Sequence, residues 1–194
     1  MAKKSTRNTR GRIVSAAWKL FYEQGYEDTT VEEIIELSGT SKGSFYHYFD
    51  GKDALLSTLS SLFDEKYEEL TGLLTPEMTA MEQLLFLNRE LFHMIEDSIS
   101  LDLLARLYST QLTTNGEKHL LDHNRIYYKL LRKIIAKGQD DGQLSCRSNV
   151  NEMVKLYALC ERALLYDWCL CAGEYALTEY SAKVLPGFLS SFLP

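Results

Sequence analysis

Gly25 and Gly39 cut the first fifty residues of the chain into three helical stretches, the second and third of them short. In the first, Ile13, Ala17, Leu20, Phe21 and Gln24 recur at helical spacing on one face, which predicts a helix over about 8–24 that Gly25 stops. In "DTTVEEIIELSG", Thr30 is an N-cap and Glu33, three residues on, its capping-box partner. Ile34, Ile35 and Leu37 supply an apolar face, and Gly39 ends the helix. Ser41 then caps a third helix, "KGSFYHYF". Two short helices joined by a glycine-containing turn, here "SGTS", make a helix-turn-helix.

The helical period continues to the end of the chain. Further helices are expected over about 51–74, 77–96, 99–112, 117–138, 148–172 and 175–192. Pro76 is suited to a first helical turn, Gly142 to a stop, and Pro186 should kink or interrupt the last helix. Only three prolines occur and no stretch alternates with period two, so the fold class is all-α. The expected division is a three-helix head over residues 1–50 and a larger helical body over residues 51–194, joined by the helix at about 51–74.

In the third helix Phe45, Tyr48 and Phe49 share one face, which should be the inner one. Lys42, Ser44, Tyr46 and His47 then point elsewhere, and that surface suits DNA. Gly43 lets the backbone approach closely. Ser41 and Ser44 offer hydroxyls, and Lys42 a contact to phosphate or guanine. The amides at the helix start complement a phosphate. Tyr46 offers a ring and a hydroxyl, and His47 and Lys52 lie where a duplex backbone should pass. The bland alternative is a helical hairpin with a solvated polar face. The net charge of −6 argues against a nucleic-acid partner only if read globally. Residues 1–60 hold eight basic and eight acidic side chains, so the excess acid lies in the body, and the first twelve residues carry five basic side chains and no acid.

The stretch "IVSAAWKLFYEQGYEDTTVEEIIELSGTSKGSFYHYFDGKDALL", residues 13–56, resembles the N-terminal domain of the TetR family of transcriptional regulators. The resemblance lies in A-x-x-L-F-x-x-x-G-Y, in T-T-V-x-x-I, and in S-K-G-S-F-Y-H-Y-F-x-x-K-x-x-L-L. It implies a DNA-binding head, a connecting helix and a ligand-binding body that dimerises. Position by position it implies phosphate contacts from Thr30, Tyr46, His47 and Lys52, and base or groove contacts from Ser41, Lys42, Gly43, Ser44 and Tyr46. Ser38 and Thr40 depart from it, since the family usually has small apolar residues there. Both suit a turn, because their hydroxyls bond locally.

The body is read from periodicity alone. The helix at 148–172 is apolar nearly all round, with Val154, Tyr157, Ala158, Leu165 and Trp168 on one stripe and Leu156, Leu159, Cys160, Ala163, Leu170 and Cys171 widening it. The helix at 175–192 adds Leu177, Val184, Leu185, Phe188 and Phe192. These eighth and ninth expected helices are the candidate homodimer interface; the alternative is a monomer that buries both. A pocket should show polar groups within apolar stripes, and Asn88, Asn124 and Glu161 do so, with Tyr108, Tyr128, Tyr157 and Tyr166 as further candidates. A carboxylate at Glu161 must be paired, protonated or touching a ligand, and it is open whether it faces pocket, core or interface. His119 and His123 have a metal-pair spacing but no evident third ligand. Cys146, Cys160, Cys169 and Cys171 match no CxxC pair and read mainly as small hydrophobes.

No GxSxG, P-loop, GxGxxG or HExxH motif is present, so no enzyme activity, cofactor or metal is expected. No apolar run approaches the roughly 18 residues of a membrane span. The basic start lacks the apolar segment of a secretion signal, so a cytoplasmic location is expected. The function expected is a ligand-responsive repressor that binds a palindromic double-stranded operator as a dimer and answers to an unidentified small molecule. Activation, a helical adaptor, and a metal- or redox-responsive regulator with the same head remain the alternatives.

Overall fold

The computed structural model describes residues 3–113 and 118–194, with side chains described from residue 9 onward. The side chains of Lys3, Lys4 and Arg7, and the start at Glu117 of one expected helix, lie outside the described residues. Helix α1 spans Lys3–Gln24, α2 Val31–Ser38 and α3 Lys42–Tyr48. Ile13, Ala17, Phe21, Ile34 and Phe45 are at most 1% exposed and meet in one small core. Burying Phe45 contributes about 1.5–3 kcal/mol. That matters because α3 has seven residues and would not stand alone.

The helix expected over 51–74 is divided into α4, Lys52–Leu56, and α5, Leu59–Thr71. The cause is a run of hydroxyls. Ser57 Oγ donates to Ala54 O at 2.7 Å, Thr58 Oγ1 to Leu55 O at 2.6 Å, and Ser60 Oγ to Ser57 O at 2.7 Å. These bonds compete with the main-chain ladder, which tightens here into bonds three residues apart, such as Thr58 N to Leu55 O at 2.9 Å.

The body continues with α6, Ala80–Ser98; α7, Leu101–Thr113; α8, Ile126–Asp140; α9, Val150–Leu170; and α10, Leu177–Leu189. Short 3-10 turns cover His119–Leu121 and Ser190–Phe192. Helix α8 starts later than the periodicity suggests, because Asp122 Oδ1 accepts Asn124 N at 2.8 Å and forms a turn there. His119 and His123 therefore do not share one helical face; His123 instead lies against the Tyr128 ring at 4.7 Å. Helix α10 runs through Pro186. The proline is exposed, and the carbonyl deprived of its donor belongs to Ala182, also exposed.

Helix α6 packs on α5, α8 and α10, and α9 on α7, α8 and α10, so these two form the centre of the body. Leu84, Leu87, Phe92 and Ile95 of α6 are fully buried, and Val154, Tyr157 and Ala158 of α9 nearly so. Helix α8 crosses the start of α6 so closely that a Cβ on Gly138 would lie 2.6 Å from Ala80 Cβ and 2.8 Å from Leu144 Cδ1. Among the contacts that tie the first three helices to the rest of the described chain are two from α1 and the loop after it. Trp18 Nε1 donates to Thr58 Oγ1 at 2.9 Å. Arg106 of α7 pairs with Glu27 and Asp102 while its guanidinium lies 4.9 Å from the centre of the Tyr26 ring.

Candidate DNA-reading surface and effector cavity

Capping chemistry places α3. Thr30 Oγ1 accepts Glu33 N at 3.2 Å, and Glu33 Oε2 accepts Thr30 N at 2.8 Å, closing the box at the start of α2. These bonds from Thr30 hold the Glu33 carboxyl below the ordinary range. Gly39 has φ of 59°, the left-handed conformation glycine adopts without strain. The hydroxyls of Ser38 and Thr40 lie 2.8 Å apart, and Ser38 Oγ donates to Ile35 O at 3.1 Å. They close the turn through hydrogen bonds in place of apolar packing.

Ser41 Oγ accepts Ser44 N at 3.1 Å and so starts α3. Phe45 and Phe49 face the core, at 0% and 5% exposure, and Tyr48 is half-buried. Ser41, Lys42, Gly43, Tyr46 and His47 are exposed and Ser44 is half-buried. Lys42 Nζ lies 3.3 Å from Glu32 Oε1, but both side chains are about two-thirds exposed, so the pair is worth little and exchanges readily. Tyr46 is 46% exposed, a large ring held out in solvent.

Lys52 does not join this surface. Its ammonium donates to Tyr26 O at 2.7 Å, Thr29 O at 2.9 Å and Glu27 O at 3.0 Å, and lies 4.4 Å from the centre of the Tyr26 ring. All three protons are used to bind the α1–α2 loop to α4. The Thr30 hydroxyl likewise serves its cap, although the residue itself is exposed.

In the body, three of the expected pocket residues come together. Glu161 is 4% exposed and 73 residues from Asn88, whose Nδ2 donates to Glu161 Oε1 at 2.9 Å. Tyr127 OH donates to Oε2 at 2.6 Å. Tyr157, one turn before Glu161 on α9, donates its hydroxyl proton to Leu84 O at 2.8 Å. Burial raises the Glu161 pKa, against the opposing effect of these donors and of the Arg162 charge. Ser181 Oγ of α10 closes the chain by donating to Asn88 Oδ1.

Glu161 also lines a cavity of about 50 Å³, between Phe63 and Tyr67 of α5, Leu91 of α6, Tyr108 of α7, Leu120, Arg125, Tyr127 of α8, and Arg162 and Leu165 of α9. That is room for a few waters. Arg125 is neutralised by Asp64, with Nε and Nη2 at 3.1 and 3.0 Å from its oxygens. Tyr128 lies behind this wall and accepts from Arg162 at 3.2 Å. Asn124 is not part of the cavity; it is exposed in the turn before α8. Tyr166 is 46% exposed on the outside of α9. The sequence reading did not single out Tyr67, Arg125 and Arg162. The i, i+4, i+7 spacing of Phe63, Tyr67 and Leu70 marks the inner face of α5, but only the tertiary arrangement places it opposite Glu161. Burial pushes the Cys160 and Cys169 thiols up to about 11, which keeps them protonated. Among the described residues no group of three or more His, Cys, Asp or Glu side chains is placed to hold a metal ion.

Residues 13–59 match the family model described as "Bacterial regulatory proteins, tetR family". An uncharacterized HTH-type transcriptional regulator of Lactococcus lactis is 39% identical over 56 residues, 28% of this chain and 29% of that protein. The HTH-type transcriptional regulator QacR of Staphylococcus aureus is 26% identical over 157 residues, 78% of this chain and 81% of QacR. Among solved structures, FadR of Thermus thermophilus, described as a TetR-family transcriptional repressor in complex with lauroyl-CoA, superposes with a TM-score of 0.76 at 26% identity, covering 95% of each chain. No helix among the described residues is long and apolar enough to cross a membrane.

Proposed function

We propose, on the premise that the N-terminal domain of this chain belongs to the tetR family of bacterial regulatory proteins, that the protein represses transcription as an effector-responsive dimer on a near-palindromic operator. The observation that carries this reading is the division of α3, which buries Phe45 and presents Ser41, Lys42, Ser44, Tyr46 and His47 outward. Two such helices would enter major grooves one turn apart, about 34–36 Å. Lys42, Ser44 and Tyr46 would read base edges or groove walls. Ser41, His47, the main chain at Gly43 and the start of α2 at Thr30 would hold phosphates.

The dimer face proposed is on α9 and α10. Leu159, Ala163, Tyr166 and Leu170 recur at helical spacing on the outside of α9, and Leu159, Tyr166 and Leu170 are 52%, 46% and 66% exposed. A stripe of this size on one helix favours a partner surface. The opposite stripe of α9, with Val154, Tyr157, Ala158, Leu165 and Trp168, is already buried within the subunit.

The effector would occupy the Glu161 cavity. A molecule of ring size exceeds the present space, so its entry must move the walls, Phe63 and Tyr67 among them. Both lie on α5, which is continuous in the chain with α4 and the head. Displacing α5 changes the spacing of the two reading helices. A coupling of about 1–3 kcal/mol would lower operator occupancy by roughly 5–150-fold.

The experiment is retention of a promoter fragment by wild type and by the double variant Lys42→Ala, Tyr46→Ala. The wild type should bind one sequence with a log–log salt slope near −5 to −9 for about 6–10 phosphates. The double variant should lose that complex and keep its melting temperature. Equal retention by the two proteins would refute the reading.

A further inference from the structure

The cavity beside Glu161 contains more donors than acceptors, and that imbalance indicates what it takes. The Glu161 oxygens already accept from Asn88 and Tyr127, and the Tyr157 hydroxyl gives its proton to Leu84 O. Arg125 is committed to Asp64 and to Ser60 O. The donors that remain, besides the Tyr108 hydroxyl, are two. Tyr67 is 2% exposed, lines the cavity, and its hydroxyl is the buried side-chain polar atom without a hydrogen-bond partner among the described residues. Arg162 also lines the cavity, and no carboxylate among the described residues lies within ion-pairing distance of it; its guanidinium gives one bond, to Tyr128 OH.

A buried donor left unbonded costs free energy until something supplies an acceptor. A ligand that brings acceptors satisfies both groups. One that brings only donors satisfies neither and must share the Glu161 carboxyl with Asn88 and Tyr127. The remaining wall is apolar and aromatic, from Phe63, Leu91, Tyr108 and Leu165. We propose that this cavity binds a small apolar or aromatic molecule carrying a carboxylate, with the acid group on Arg162 and Tyr67. This rests on the reading of the body as an effector-binding domain and names the chemistry of that effector.

The test uses three matched probes on the full chain without DNA: 4-ethylbenzoate, 4-ethylbenzamide and 4-ethylbenzylamine, titrated by calorimetry and by thermal shift. The benzoate should bind, roughly tenfold or more tighter than the amide, because a charge-assisted pair is the stronger bond. The amine should not bind. Arg162→Gln should cancel the preference for acid over amide, and Arg162→Lys should restore part of it. Tyr67→Phe should weaken the benzoate roughly fivefold while leaving the melting temperature equal or higher, since it removes an unpaired hydroxyl. A merely structural tyrosine would lower the melting temperature. Tightest binding by the amine, an acid preference that survives Arg162→Gln, or no binding by any probe up to its solubility would overturn the proposal. Operator retention measured without any probe is a separate readout, so failure of the ligand class and failure of DNA binding are told apart.

Discussion

At the scale of single residues, Lys42 of α3 and Lys52 of α4 have opposite duties. Lys52 is consumed by three carbonyls, whereas Lys42 has an exposed, exchangeable pair with Glu32 and lies 6.0 Å from the centre of the Tyr46 ring. Lys52→Met should therefore cost about 1–2 kcal/mol, the value of a charged hydrogen-bond set reduced for partial exposure. Urea unfolding would show it, and an unchanged midpoint would refute the clamp. The sequence placed both lysines near DNA, because a motif records that a position matters without recording what its protons meet. Glu161 shows the same limit. Its place among apolar neighbours is legible, yet its partners are 73 and 34 residues away. Its raised pKa has a consequence with a definite sign. A carboxyl that holds its proton more tightly when folded favours the folded state below the ordinary carboxylate range, and loses that contribution as pH rises through its folded value. Glu161→Gln lacks this titration. The stability advantage of wild type over that variant should shrink as pH rises above the ordinary carboxylate range, measured by denaturant midpoints; a constant difference would place the carboxyl at its ordinary pKa.

At the scale of elements, the ends of the early helices were legible and those of the later ones less so. Thr30, Glu33, Gly39 and Ser41 act through bonds to residues at most five away, so the chain carries that information locally. The break between α4 and α5 and the late start of α8 depend on side-chain oxygens that outcompete the main chain, which apolar periodicity does not register. The crossing of α8 over α6 is tertiary. Nothing near Gly138 in the sequence tells that Ala80 lies 2.6 Å from where its Cβ would be. Gly138→Ala gains helix propensity, about 1 kcal/mol, but overpacking costs about 1–3 kcal/mol. A net loss of stability is expected by thermal melting, and a gain would mean that α8 shifts freely.

At the scale of the whole molecule, named side chains join the parts. Trp18 to Thr58 and Arg106 to Glu27 link head to body. The outward stripe of α9 is the proposed link between subunits. Leu159→Lys together with Leu170→Lys should give a monomer by sedimentation that keeps its helical content and its benzoate affinity but loses operator binding. A dimer that survives both changes would place the interface elsewhere.

The joint at Ser57, Thr58 and Ser60 differs in kind from a glycine hinge. Each hydroxyl already bonds a carbonyl that a regular helix would have left to an amide. Leu55 O and Ser57 O also accept the amides of Thr58 and Ser60, so each has a second donor at hand. A tilt of α4 against α5, should an effector drive one, would therefore keep these carbonyls bonded, and the Trp18 contact to Thr58 would carry it to the first helix.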